Sequence, residues 1–209
     1  MSDPHDRWRM LLPREWHTIT LHPHEARQQR IRALVKERFV GRDDAPKLRR
    51  DLEDGLQFQA MRAAENHGVS LALAYEIFPG FPFGGSVLVS FTPDPAGVKL
   101  VDLEEQMTAP RTVEYGRQRV VAGDAVRRVR VLPTELEGTE FESTVVDYFV
   151  PHLDASGYFG LTFSSAVPDD LREPIVELFD AVAATFHFDV QERDDLVQAH
   201  HLAERQDAP

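Results

Sequence analysis

The sequence predicts an α+β fold, with an antiparallel β-sheet sandwiched by helices in one domain. One observation is a hairpin formed by Thr144–Val150 and Tyr158–Ser165, in which apolar and polar residues alternate along the second strand. A second is an amphipathic helix directly after it, because apolar residues recur at helical spacing at Leu171, Ile175, Leu178, Phe179, Val182 and Phe186. The third is the element order, which is β-α-α, a run of antiparallel strands, and a final α-β. We therefore expect the last helix to pack on the apolar face of the hairpin.

Composition limits the classes of function. The chain has 209 residues, 42% of them hydrophobic, which is enough for one sizeable core. Its net charge of -12 repels phosphate backbones and argues against nucleic-acid binding. The absence of cysteine excludes disulfides and thiolate chemistry. No apolar run approaches the roughly 20 residues of a membrane helix, and the N-terminus lacks a signal-peptide pattern. We expect a cytoplasmic protein that does not bind membranes.

The first elements are two helices that follow a strand. Residues 1–13 are predicted to be a flexible N-terminus, residues 14–190 the domain and residues 191–209 a polar acidic tail. Glu15–Leu21 alternates as a strand, and Pro23 begins a helix that ends near Gly41. A second helix is predicted at Pro46–His67, with Asp43 or Asp44 as its N-cap and Gly68 as its C-terminal glycine.

The middle of the chain reads as a series of strands. Val69–Ile77 alternates, and its second face is small (Ser70, Ala72 and Ala74), so another element, which we expect to be a helix, packs close to it. Val87–Phe91 is the following strand. Residues 102–107 fit a short helix, while residues 112–115 and 118–121 are expected to pair around Gly116.

The next strand carries adjacent arginines. Residues 125–132 form it, residues 133–138 are predicted to be a loop, and residues 186–190 are the final strand. Within residues 125–132, Arg128 and Arg130 share one face with Val126, while Val129 and Val131 share the other.

This order resembles the Mog1/PsbP-like α/β sandwich superfamily. The resemblance rests on Val120–Ala125 before an Arg-rich strand, on Val145–Pro151 followed by Tyr158–Ser165, and on the closing amphipathic helix. It implies an antiparallel sheet covered by helices, and a non-catalytic binding or assembly role to which no catalytic residue is transferred. The abundance of Arg, Asp, Glu, Ala and Val also points to a high-GC actinobacterial source.

An aromatic segment is the most unusual part of the sequence. Phe78–Gly85 contains three Phe, two Pro and three Gly in eight residues. Phe78, Phe81 and Phe83 on a Pro-stiffened loop could anchor a partner at little entropic cost. The alternative is that these rings fold inward and seal one end of the sandwich.

The arginine pair has two interpretations. Arg128 and Arg130 could bind an anionic group of a partner. The alternative is that they pair across strands with acids such as Glu142 or Asp147.

Other chemistries are weakly supported. His22 and His24 form an H-x-H that could bind zinc, but a second ligand pair is missing, so no metal or other cofactor is predicted. Ser164 or Ser165 could be drawn with His152 and Asp154 as a triad, although no G-x-S-x-G motif is present. Asp169 and Asp170, like Glu104 and Glu105, are better explained as helix-terminus or surface carboxylates than as an acid/base pair.

The sequence therefore favours a non-catalytic protein-interaction module, an adaptor or assembly factor whose partner is another protein. Its predicted partner-binding residues are Phe78, Phe81, Phe83, Arg128 and Arg130. The alternative is a small-ligand-binding protein or hydrolase with a cleft near Phe78–Gly85.

Overall fold

The computed structural model describes residues 8–41, 45–78, 81–94, 96–97, 99–106, 111–136, 139–153 and 156–189. Within these ranges, the side chains of residues 77–78, 81–83, 106, 135–136 and 139–140 are outside the description. The strands are β1 (Trp8–Arg9), β2 (Trp16–Thr20), β3 (Gly68–Phe78), β4 (Phe81–Pro93), β5 (Thr112–Val120), β6 (Gly123–Leu136), β7 (Thr139–Pro151), β8 (Gly157–Ser165) and β9 (His187–Phe188). The helices are α1 (His24–Arg38), α2 (Pro46–Glu65), α3 (Leu100–Gln106) and α4 (Arg172–Ala184), with a 3₁₀ turn at Asp169–Leu171.

Seven strands form one antiparallel sheet, in the order β2-β3-β4-β8-β7-β6-β5. β1 and β9 form a separate two-stranded antiparallel sheet. The large antiparallel sheet with four helices in one domain confirms the predicted mixture of α and β structure.

The register divides the large sheet into two faces. Asp147 lies opposite Thr162 and Arg128, so these three side chains share a face, which we call the front face. Val146 lies opposite Phe163 and Val129, and these define the back face.

The back face carries the main core, which is covered by α4. Phe179 stacks on Phe163 with ring centroids 5.1 Å apart and meets Trp16 edge-on at 6.4 Å. The buried residues predicted for this contact are Phe159, Leu161, Phe163, Ile175, Phe179 and Val182, and Leu178 packs against them half-buried. The predicted packing of the last helix on the hairpin is therefore confirmed.

The front face has two separate apolar coverings. Ile19 and Leu71 of the sheet pack with Ile31 of α1 and Leu56 of α2 in one cluster. At the other side of the sheet, α3 packs through Leu103 on Val126, Phe149 and Tyr158. Between these clusters, β4, β8 and β7 present a strip of polar side chains.

The N-terminal arm lies against the back face. Trp8 is the first described residue of the arm, and it lies before the predicted domain boundary at residue 14. Residues 1–7 and 190–209 lie outside the described residues. The Trp8 ring stacks on Phe186 at 5.8 Å, and the Leu11 N–H donates to Thr185 Oγ1 at 2.9 Å. These contacts connect the arm to the segment that follows α4.

Two expectations for the strands were wrong. β5 runs without interruption through Gly116, and its hairpin turn lies instead at residues 121–122 before Gly123, whose φ is +146°. A glycine inside a strand is therefore not a turn here. β6 also continues through Pro133 to Leu136, because β5 pairs with it only as far as Arg130 and a missing N–H is tolerated on the remaining edge.

The C-terminus of α2 also differs from the expectation. His67, with a φ of +62°, takes the left-handed conformation that was assigned to Gly68. A Cβ on Gly68 would lie 2.5 Å from the Ala63 carbonyl oxygen, so Gly68 is required by close packing. The proposed caps Asp43 and Asp44 lie outside the described residues.

In the described part of the chain, no helix combines the length and apolarity needed to span a membrane.

Candidate functional site

The polar strip on the front face contains a cluster of two arginines around one aspartate. Strand register brings Arg128 of β6 opposite Asp147 of β7, and Asp147 opposite Thr162 of β8. Arg130 lies two residues along β6 from Arg128 and therefore points to the same face. We call these four residues the front cluster: Arg128, Arg130, Asp147 and Thr162.

The Asp147 carboxylate is the centre of this cluster. Its Oδ2 accepts hydrogen bonds from Arg128 Nε at 3.1 Å, Arg128 Nη2 at 2.9 Å and Arg130 Nε at 2.8 Å. Its Oδ1 accepts from Arg130 Nη2 at 3.1 Å and Thr162 Oγ1 at 3.0 Å. A carboxylate offers about four lone-pair positions, so Asp147 has no remaining capacity for another donor.

The front cluster has an excess of positive charge. Two guanidinium groups share one carboxylate, and within the described part of the chain neither Arg128 nor Arg130 is paired with a second acid. The side chains are 11% exposed for Arg128, 23% for Arg130 and 3% for Asp147. The net charge of the cluster is therefore positive, and Arg130 is its most accessible cation.

Arg128 is held in place from a second direction. Its guanidinium lies over the Phe149 ring, 5.6 Å from the centroid, in a cation–π contact. Phe149 is itself packed against α3 through the cluster that contains Leu103. The position of Arg128 is thus fixed by Asp147 and by the aromatic ring together.

Small hydroxyl residues extend the polar strip away from the arginines. Ser86 Oγ and Ser164 Oγ lie 2.9 Å apart across β4 and β8, and Ser90 Oγ donates to the Gly160 carbonyl at 3.4 Å. These three serines are partly exposed, as is Thr162. A surface of hydroxyls beside an excess cation can accept a carboxylate or another small anionic group.

A second arginine network lies on the back face. Arg127 donates from Nε and Nη2 to the two oxygens of Asp180, at 2.7 and 3.0 Å, and from Nη1 to Glu114 Oε1 at 2.7 Å. The Tyr148 hydroxyl donates a hydrogen bond to Asp180. This back cluster, Arg127, Glu114, Tyr148 and Asp180, joins α4 to β5, β6 and β7.

The back cluster shifts the acid–base properties of its members. Burial raises the pKa of Tyr148 well above its ordinary value, and the hydrogen bond and negative charge of Asp180 raise it further. Burial alone would lower the pKa of Arg127, but Asp180 outweighs this effect and keeps the guanidinium charged. With two carboxylates for one guanidinium, this cluster carries a net negative charge.

The predicted partner-binding residues have different outcomes. Arg128 and Arg130 lie together on the front face, and the cross-strand pair with Asp147 that was their alternative interpretation is present. Glu142, the other proposed partner, pairs instead with Arg172 at 3.1 Å. The side chains of Phe78, Phe81 and Phe83 lie outside the described residues, so their binding role stays a prediction.

Sequence reasoning missed the hydroxyls and the back cluster. Thr162 and Ser164 occupy the polar positions of β8, and Ser86 and Ser90 alternate in β4, which was a usable signal. Tyr148 reads as an ordinary apolar strand residue, and its hydroxyl contact with Asp180 depends on how α4 is docked. That contact has no local sequence signal.

Among the described residues, the other candidate chemistries are not assembled. His24 Nδ1 lies 2.6 Å from Arg27 Nη2, and within the described ranges no group of three or more His, Asp or Glu could hold a metal ion. Ser164 and His152 lie near opposite ends of β8, about 24 Å apart at roughly 3.4 Å per residue. Asp169 pairs with Arg172 at 2.6 Å. Asp154, the third member of the drawn triad, lies outside the described residues.

Comparison with known proteins adds no family. No protein-family model matches the chain, and no curated protein is significantly similar to it in sequence.

Proposed function

We propose that the chain is a non-catalytic protein-interaction module, an adaptor or assembly factor, which receives an acidic side chain of its partner at the front cluster. The observation that carries this proposal is the charge balance around Asp147, where two guanidiniums share one saturated carboxylate. A positive charge that is only partly exposed, and that has no counter-ion of its own among the described residues, favours an anion from outside.

The geometry leaves donors available for such an anion. A guanidinium has five N–H donors, and both arginines use only Nε and Nη2 toward Asp147. The Nη1 groups of Arg128 and Arg130 make no hydrogen bond within the described part of the chain. A carboxylate near Arg130 would satisfy these donors and neutralise the cluster.

The overall negative charge of the chain limits which anionic ligands can bind. A net charge of -12 produces a field that repels extended polyanions such as nucleic acids. A single carboxylate on an otherwise complementary protein surface is less affected, because its attraction to Arg130 acts at short range. This combination supports a protein partner with an isolated acidic side chain.

Two broader assignments belong to the same proposal. We place the chain with the Mog1/PsbP-like sandwiches, supported by the β-α-α order, the antiparallel strands and the closing helix. We also propose that it acts in the cytoplasm of an actinobacterium, which its lack of cysteine and its composition support.

The alternative, a ligand-binding protein or hydrolase with a cleft near Phe78–Gly85, has less support. A hydrolase needs a nucleophile beside a base, but the Ser164 hydroxyl interacts with Ser86, while His152 lies near the far end of β8.

The proposal is tested by partner capture with matched variants. Immobilised wild type, Arg130→Gln and Arg119→Gln would be exposed to lysate of the native host, and the retained proteins identified by mass spectrometry. Arg119 pairs with Asp124 on the exposed turn, so Arg119→Gln makes the same charge change elsewhere. We expect one protein to be retained by wild type and by Arg119→Gln and lost by Arg130→Gln.

The loss for Arg130→Gln should be about tenfold or more, since a hydrogen bond to a charged group contributes about 1.5–3 kcal/mol. Equal retention by both variants, or no specific retention by wild type, would contradict the proposal.

A further inference from the structure

A pocket lies between the N-terminal arm and the back face of the sheet. Its volume is about 280 Å³, and it opens beside the edge strand β2. Trp8, Met10 and Leu12 form its outer wall. This pocket is on the opposite face from the front cluster and shares no residue with it.

Small residues of β3 form part of the pocket floor. Ser70 and Ala72 leave space above the sheet, and Val87 and Val89 of β4 continue the floor. A helix was expected to pack close to this part of β3. The N-terminal arm lies over it instead, and the pocket is the space left between the arm and the sheet. The lining therefore combines apolar and aromatic side chains with the exposed Arg9, which pairs with Asp189, and with the Thr18 and Thr20 hydroxyls at the edge.

Ser70 is the polar group inside this pocket. The residue is only 8% exposed, and its hydroxyl makes no hydrogen bond within the part of the chain that the structure describes. The Oγ atom keeps accessible surface, and Ser70 lines the pocket. A hydrogen-bonding atom placed in the pocket would therefore find a free hydroxyl partner there.

The geometry points to a binding site for a small, flat, apolar molecule that carries one hydrogen-bonding oxygen. An engineered cavity of about 150 Å³ accommodates benzene, so a space of about 280 Å³ fits a two-ring molecule. The ring system contacts the wall that includes Trp8, and its oxygen bonds the Ser70 hydroxyl. This site is independent of the proposed front-face interaction, and it combines an apolar floor with polar groups at the edge, as ligand sites do.

The test uses 2-naphthol, a two-ring molecule with one hydroxyl, in calorimetric titrations of the full chain. We expect saturable one-to-one binding, with amide chemical-shift changes confined to residues near Ser70, Ala72 and Thr20. Binding that is absent up to the solubility limit of 2-naphthol, or shifts centred elsewhere, would overturn the assignment.

Two variants separate a site from an incidental crevice. Ser70→Ala should weaken 2-naphthol binding about tenfold, since one buried hydrogen bond is lost, and should leave the melting temperature unchanged or higher. Thr20→Tyr places a ring at the mouth of the pocket and should abolish binding, whereas Val113→Tyr adds the same ring to the exposed edge strand β5 as a control. Equal affinity in wild type, Ser70→Ala and Thr20→Tyr would contradict the proposal.

Discussion

Arg127 and Arg128 are neighbours in the chain, but the sheet directs them to opposite faces with opposite charge balance. On the back face, Arg127 is bonded to two carboxylates and Asp180 also accepts from Tyr148. On the front face, Arg128 shares a single carboxylate, Asp147, with Arg130. Residues with the same chemistry therefore make different ion pairs, because strand alternation assigns them different partners.

We propose that this difference separates a structural network on the back face from an anion-binding one on the front face. In the back cluster every guanidinium nitrogen of Arg127 donates to a carboxylate, and the network connects α4 with three strands. In the front cluster the carboxylate is saturated while guanidinium donors remain. An anionic ligand would supply hydrogen-bond acceptors to Arg128 and Arg130, whereas every guanidinium nitrogen of Arg127 already donates to a carboxylate.

The largest expected effect concerns the cores of the two faces. Phe179→Ala removes a fully buried ring from the back face and should cost about 3–5 kcal/mol of unfolding free energy, because it leaves a cavity. Leu88→Ala on the front face should cost less than about 2 kcal/mol, because Leu88 is only half-buried. Urea denaturation of both variants measures this, and equal losses would show that Phe179 is packed no more tightly than the half-buried Leu88.

The next effect concerns the two aspartates. Asp147→Asn leaves two guanidiniums without a carboxylate and should cost about 3 kcal/mol. Asp180→Asn should cost about 1–2 kcal/mol, because Arg127 keeps Glu114. The surface control Asp124→Asn should change the unfolding free energy by less than about 1 kcal/mol. A larger loss for Asp180→Asn than for Asp147→Asn in chemical denaturation would reverse the proposed charge balance.

A smaller effect should depend on pH. Tyr148→Phe removes the hydrogen bond to Asp180 and should cost about 1.5–2 kcal/mol near neutral pH. The folded pKa of Tyr148 is raised above the unfolded value of about 10. Above that pH the unfolded chain loses the tyrosine proton while the folded chain retains it, so the contribution of Tyr148 falls as pH rises.

The stability difference between wild type and Tyr148→Phe should therefore narrow above about pH 10, by at most about 1.4 kcal/mol per pH unit. Denaturation series of the two proteins at neutral and alkaline pH would measure it. A constant difference would show that Tyr148 is not held in its neutral form.

Arg130→Gln is also expected to change stability little. Asp147 keeps both bonds from Arg128 and the bond from Thr162, so the unfolding free energy should change by less than about 1 kcal/mol. The result is read from urea midpoints beside Arg119→Gln. A loss above about 2 kcal/mol would mean that Arg130 is a structural cation rather than a receptive one.

The back face was the more predictable half of the molecule. The alternation of Phe159, Leu161 and Phe163 with polar residues, followed by the stripe of α4, was sufficient to identify the hairpin, the helix and their contact. These are local patterns, and burial of apolar surface drives the same contact in the fold.

The front face was only partly predictable. The period of β6 placed Arg128 and Arg130 on one face, but their sharing of Asp147 depends on the register of three strands. Gly116 and Pro133 were misread as breaks because a single sequence does not reveal which strand edge is paired. The arm over Ser70 was also missed, because its position is set by distant contacts with Phe186 and Thr185.

The most direct test of the account observes arginines of both faces in one experiment. The Nε–H resonances of Arg127, Arg128 and Arg130 would be assigned by NMR and followed during titration with an end-blocked peptide that carries a single glutamate. We predict shifts for Arg130 and Arg128 that saturate and disappear in Arg130→Gln, while the Arg127 resonance stays in place because its donors are occupied. A shift of Arg127 equal to that of Arg130, or no shift at Arg130, would contradict the claim that the front cluster is an anion-receiving surface.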